Sequence, residues 1–250
     1  MSAPRLLFTS HVAPYVDGPA GVHGVLPQAA TAMAELAGRH GLEPVVAPDV
    51  ATLAAGTLAE GGVLALFTIG ETPWSTEQRA AILGAVDAGR LTILGLHSAT
   101  DSCHGWDAYG GLVGARFDGH PWTATVELDV DVDHPATAHL PARWLWHDEV
   151  YLFRDLRPDV RVLIRVADDQ LDMTVPEART PACGFPLAWC SEGPGARRFY
   201  SALGHFAHAW EQPVYLRHID GALGWLLDGL AGPGEPGGGG RRAGAGPGAG

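Results

Sequence analysis

Short apolar runs separated by turn-rich polar stretches set the pattern of the first hundred residues. Residues 5–10, 43–47, 63–69 and 91–96 are too short for helices and mostly aliphatic or β-branched, the signature of strands buried in a sheet. Between the first two, Leu26, Ala30, Met33 and Ala37 recur at helical spacing, with Pro27 placed in the first turn. Residues 75–88 read as a second helix, opened by Ser75 and Gln78, which can satisfy each other's backbone donors in a capping box. This alternation predicts right-handed crossovers and an α/β fold with a mainly parallel sheet and helices on both faces. The run 91–96 ends abruptly in His97, small residues and Asp101, so this loop should lie at the C-terminal edge of the sheet, where open α/β folds bind ligands. Gly95-x-His97-x-Ala99 also has the spacing of a strand-to-helix elbow that presents a nucleophile, with His where Ser or Cys would stand.

The second half changes character. Residues 123–132, 144–153, 160–167, 185–190 and 198–203 all read as strands, which predicts an extended sheet and a β-rich lobe over one end. A helix is expected to carry residues 106–113. Residues 213–230 form a last amphipathic helix, with Leu216, Ile219, Leu223, Leu226 and Leu227 on its apolar side. The Gly/Pro-rich stretch 232–250 cannot bury enough surface to order itself, so the domain is expected to span 1–231 and the tail to be disordered.

Composition narrows the partners. A chain of 250 residues, 46% of them apolar, can bury one substantial core. The formal net charge is −12 and every base is an arginine, which argues against nucleic acid and anionic membranes as partners. No run approaches the roughly 18 apolar residues of a membrane span, and the first residues lack a secretory apolar segment, so a soluble, cytoplasmic protein is expected. Three cysteines without paired spacing predict neither a disulfide framework nor a structural zinc site; Cys190 reads as core and Cys103 as a free loop thiol. No Gly-x-Gly-x-x-Gly follows the first strand, so no tightly bound dinucleotide is expected.

The polar residues expected at the sheet edge are His23, His97, Asp101, His104, Glu149 and His205. A His titrates near neutrality, and beside an orienting carboxylate it can move protons to and from a hydroxyl or carbonyl. His97 and His205 each follow an apolar strand and are the principal candidates. His23 is either a site residue or a helix-start residue bonding a loop carbonyl, and Asp101 is either a site carboxylate or a helix cap. His104 reads first as a solvated loop residue. Regular alternation over 144–153 places His147, Glu149 and Tyr151 on one face of a strand, Glu149 as a carboxylate partner and Tyr151 as a substrate contact. Trp106, beside the central loop, is the indole that could form a stacking platform for a ligand. The His and carboxylate set could also hold a divalent metal, although no His-x-x-x-His or His-Glu-x-x-His helix motif is present.

The blocks GLHSATDSCHGWDAYGGLVGARFDGHPW, HDEVYLF and PLAWCSEGPGARRFYSALGHFAHAW, with the earlier GVHGVLPQ, resemble the signature blocks of the ThuA-like, or trehalose-utilisation, family across most of residues 5–230. The resemblance implies a flavodoxin-like fold similar to class I glutamine amidotransferases, and a place in the metabolism of trehalose, related disaccharides or their 3-keto derivatives. The amidotransferase cysteine would fall at His97, and the His-x-Glu pair at His205-Phe206-Ala207, where the carboxylate is missing; glutaminase activity is therefore not expected. The expected partner is a small-molecule sugar, and a homo-oligomer remains open. If the chemistry includes a redox step, its nicotinamide or flavin is expected on another protein. Three readings stand: an enzyme using His97, His205, Asp101 and Glu149 in acid/base chemistry, a non-catalytic sugar-binding or regulatory module, and a metal-dependent hydrolase.

Overall fold

The computed structural model describes residues 4–16, 24–193 and 195–230. In chain order the first half contains β1 (Arg5–Val12), α1 (Leu26–Arg39), β2 (Glu43–Ala47), α2 (Ala55–Glu60), β3 (Gly62–Ile69), α3 (Thr76–Asp87) and β4 (Leu91–Leu96). The second half contains α4 (Tyr109–Val113), β5 (Arg116–Phe117), β6 (Trp122–Val130), β7 (Arg143–Val150), β8 (Phe153–Arg154), β9 (Arg161–Val166), β10 (Pro186–Ser191), β11 (Arg198–Ser201) and α5 (Pro213–Leu227). The short helix α2 carried too few apolar positions to be read from the sequence. The Ser75–Gln78 capping box at the start of α3 is present.

One sheet of nine strands runs in the order β2-β1-β3-β4-β11-β10-β9-β6-β7. The first five pair in parallel and the remaining four extend the sheet antiparallel. The strands β3 and β4 are almost wholly buried, because helices cover both faces of the parallel half. The last parallel strand matters most for function. Its pairing sets Tyr200 beside Gly95 and Ser201 beside Leu96, so the chain leaves β11 next to the chain leaving β4.

The expected separate β-rich lobe is instead a continuation of the same sheet, and among the described residues only the two-stranded β5–β8 ribbon stands outside it. Five steps separate β7 from β4, which would span about 24 Å in a flat sheet. Yet Glu149 at the end of β7 lies 3.5 Å from His97 at the end of β4. The antiparallel half must therefore curl back. Register shifts between β9 and β10, around Pro186, Ala188 and Trp189, mark an irregularity of the kind that bends a sheet. Trp146 of β7 stacks on Tyr215 of α5 and Trp144 meets His218 edge-on, so the far strand is anchored on the last helix.

Three local expectations change. The strand expected over 144–153 stops at Val150, and Tyr151 lies in the link to β8. The helix expected over 106–113 begins only at Tyr109, with Ala108 at its N-cap, so Asp101 is not its cap but the last residue of a tight 3₁₀ turn, His97–Asp101. Cys103 is free but buried, its thiol 2.6 Å from the Thr72 hydroxyl. His23 and the tail 232–250 lie outside the described residues. Among the described residues, no helix is long and apolar enough to cross a membrane.

His218 on α5 is fully buried against Ser201 Oγ, 3.0 Å away. Burial, with a smaller contribution from His139, lowers its pKa to about 3. The folded chain thus refuses a proton that the unfolded chain accepts below about 6.5. The stability this ring contributes is full above that pH and declines as the pH falls toward the folded value. His218→Gln is expected to make the fall of Tm with decreasing pH shallower below about pH 6, measured by thermal unfolding across a pH series; an unchanged slope would contradict this assignment.

Candidate functional site

His97 turns the chain out of β4 with φ 44°, a left-handed conformation that costs energy for a residue with a Cβ. Two neighbours hold it there. The Tyr200 hydroxyl donates to the His97 carbonyl at 2.5 Å, and Gly95 lets the Tyr200 ring cross the strand, since a Cβ at that position would lie 2.9 Å from Tyr200 Cδ2. The elbow read from Gly95-x-His97-x-Ala99 is thus present.

The imidazole is fully buried, with Nδ1 2.7 Å from the Ala202 carbonyl oxygen. A carbonyl only accepts, so Nδ1 carries the proton and Nε2 presents its lone pair. Around Nε2 stand the Tyr151 hydroxyl at 2.8 Å, His205 Nδ1 at 3.1 Å and Glu149 Oε2 at 3.5 Å. Glu149 Oε2 is also 3.4 Å from His205 Nδ1, while its Oε1 is 3.7 Å from His120 Nδ1. The His97, Glu149 and His205 ligand atoms all fall within 4.8 Å of one another. Phe67 stands edge-on to His97, and His120 stacks on Tyr151.

The carboxylates here are unusual. Burial, and then the neighbouring Asp148 charge, pushes Glu149 up to about 7, against the opposing bond from Tyr151. Asp148 is buried and accepts from the Gly204 backbone N–H at 2.8 Å, Trp146 Nε1 at 3.0 Å and the Glu149 backbone N–H at 3.0 Å. Burial raises its pKa and these N–H bonds hold it down. Asp148 thereby ties the end of β7 to the turn that presents His205.

Of the residues expected from the sequence, His97, Glu149, Tyr151 and His205 meet. The Asp101 carboxylate bonds His104 at 3.0 Å, and its charge is felt at the cluster through His120 and Tyr151. Trp106 is buried, packed against Tyr109 and beneath the Arg79 guanidinium, and offers no open indole face for a sugar. His147 shares the phase of Glu149 but bonds Thr125 and stacks on Phe206. Asp148 and His120 were missed. A signal for Asp148 existed: it falls in the inward phase of Trp144 and Trp146, where a carboxylate must be paired or bonded. His120 follows Asp118-Gly119 in a loop and carried none.

A doubly wound sheet with an elbow after β4, and a His-carboxylate cluster in place of a thiol nucleophile, defines an α/β protein of the flavodoxin-like, amidotransferase-like class. The family model described as ThuA, trehalose utilisation, matches residues 15–226, and the chain belongs to that family. A ThuA-like protein from Bacteroides uniformis superposes with a TM-score of 0.72 at 20% identity, covering 90% of this chain and 93% of that one. A second, from Parabacteroides merdae, gives 0.68 at 18% identity, covering 92% and 91%. The β-galactosidase of Rahnella sp. R3 contains a similar fold, with a TM-score of 0.51 at 10% identity over 87% of this chain and 31% of the enzyme. No curated protein matches.

Tyr200→Phe removes the hydroxyl that donates to the His97 carbonyl and pairs with Thr100 Oγ1, and the loss is expected to cost about 1–3 kcal/mol. Urea unfolding measures this directly, and an unchanged midpoint would show that the elbow is held by other means.

Proposed function

We propose that this chain is an enzyme that acts on a disaccharide of the trehalose type, or on its keto derivative, by proton transfer at the His97–Glu149–His205 cluster. The observation that supports this most is the convergence on one point of the His97 Nε2 lone pair, His205 Nδ1, the Glu149 carboxylate and the Tyr151 hydroxyl. Membership of the trehalose utilisation family supports a disaccharide as the substrate class. The net charge of −12 favours an uncharged small molecule over a polyanion and suits a cytoplasmic sugar enzyme.

In this reading the cluster binds a sugar carbonyl or hydroxyl oxygen and exchanges a proton with it. Tyr151 contacts the sugar and donates its O–H, while Glu149 accepts the proton that the reaction releases. His97 cannot rotate, because Nδ1 is bonded to Ala202, so its Nε2 always faces the reacting oxygen. Asp148 is a positioning residue that holds Glu149 and the turn before His205 in register. The elbow carries no thiol, so an acyl-enzyme formed on glutamine has no nucleophile at that position.

The test is turnover of a panel of trehalose, related disaccharides and their 3-keto derivatives by the purified chain. His97→Ala and His205→Ala are each expected to lower kcat at least about a hundredfold, with circular dichroism and unfolding midpoints retained. Variants that keep full turnover would remove the cluster from the mechanism. Saturable sugar binding by the wild type without turnover would establish a binding module instead.

A further inference from the structure

We propose that His97 Nε2, His205 Nδ1 and Glu149 Oε2 together bind one divalent transition-metal ion. The inference names a cofactor for the cluster assigned above and rests on that cluster being the active centre, but not on its substrate being a sugar.

The first argument is metric. The three ligand atoms form a triangle with edges of 3.1, 3.4 and 3.5 Å. An ion about 2.0–2.1 Å from each ligand separates them by about 3.3 Å in a tetrahedral shell and about 2.9 Å across an octahedral edge. The observed edges bracket the tetrahedral value, so an ion fits just above the plane of the triangle without moving any side chain far. Two imidazoles and one carboxylate on a shared face are also a donor set used by zinc and by non-haem iron.

The second argument is hydrogen-bond accounting. With Nδ1 protonated, His97 Nε2 has a single lone pair, yet a hydroxyl, an imidazole nitrogen and a carboxylate oxygen crowd against it. One Tyr151 proton serves both His97 and Glu149. A cation at the centre satisfies all three ligand atoms at once.

The third argument lies in the surroundings. A ligating His typically donates its other ring N–H to a carbonyl or carboxylate, and His97 does so to Ala202. Asp148 adds a second buried carboxylate beside Glu149, and among the described residues the ion-pair partners of Glu149 are all histidines, with no arginine paired to either acid. A divalent charge balances this pair of acids. Were the ion bound, His97, His205 and Glu149 would serve as its ligands rather than as proton carriers, and it would supply Lewis-acid stabilisation to an oxygen bound beside Tyr151.

The experiment is a titration of the chelator-treated full chain with Co²⁺ in the absence of any sugar, read by visible d–d absorption. One equivalent is expected to saturate the spectrum. His97→Ala, His205→Ala and the near-isosteric Glu149→Gln are each expected to weaken Co²⁺ at least about tenfold, while His147→Ala, which lies outside the triangle, leaves the titration unchanged. Unfolding midpoints establish that each variant is folded. A folded wild type with no saturable spectrum, or a spectrum that survives in Glu149→Gln and both alanine variants, overturns the metal site. Co²⁺ bound as expected by a protein that turns over no sugar sustains the site and removes only the carbohydrate reading; full sugar turnover by chelator-treated protein that binds no Co²⁺ removes only the metal.

Discussion

A single hydrogen bond, from His97 Nδ1–H to the Ala202 carbonyl, is the constraint on which the cluster depends. It selects the tautomer of the ring, fixes the direction of the Nε2 lone pair and joins the chain leaving β4 to the chain leaving β11. The bond can form only because those strands pair in parallel, with Ser201 beside Leu96. It also compensates for strain. The left-handed backbone of His97 is stable because its ring and its carbonyl are both held by the β11 side, by Ala202 and by Tyr200.

The electrostatic cost of the arrangement is concentrated on two adjacent acids. Burying a carboxylate is expensive unless donors surround it, and Asp148 meets this condition with backbone and indole N–H groups. Glu149 is pushed up to about 7 by burial and by the Asp148 charge, and burial raises Asp148 as well. The two acids stand side by side on one strand and differ in the donors that surround them.

Much of this was legible in the sequence because it depends on short-range rules. The buried runs and the Ser75 capping box follow from period and local bonding, and the elbow follows from the close approach that Gly95 permits. His97 and His205 were accessible because they end apolar strands, and Glu149 because of its phase in β7. What could not be read was the path of the sheet. Curvature depends on bulges and on packing of Trp144 and Trp146 against α5, so the second half read as a lobe rather than as a strip that returns to its origin. His120 was hidden for another reason: it reaches Glu149 through the β6–β7 pairing, which sets Thr123 beside Glu149, and that register was not read from the sequence. Asp101 was misread locally, since its neighbour His104 competes for the carboxylate. Trp106 was misread because nearness in sequence to the elbow says nothing of which way an indole faces.

The returning sheet places the two halves of the cluster on opposite margins of one surface. His97 and His205 belong to the parallel centre, while Glu149 and Tyr151 arrive from the outermost strand. The gap between them is thus a measure of curvature summed over five strand pairings, much as the gap in a split ring reports the bend of the whole ring. Sequence changes at the irregular β9–β10 pairing, several strands away, can therefore tune the distance between His97 and Glu149 through the bend of the sheet alone.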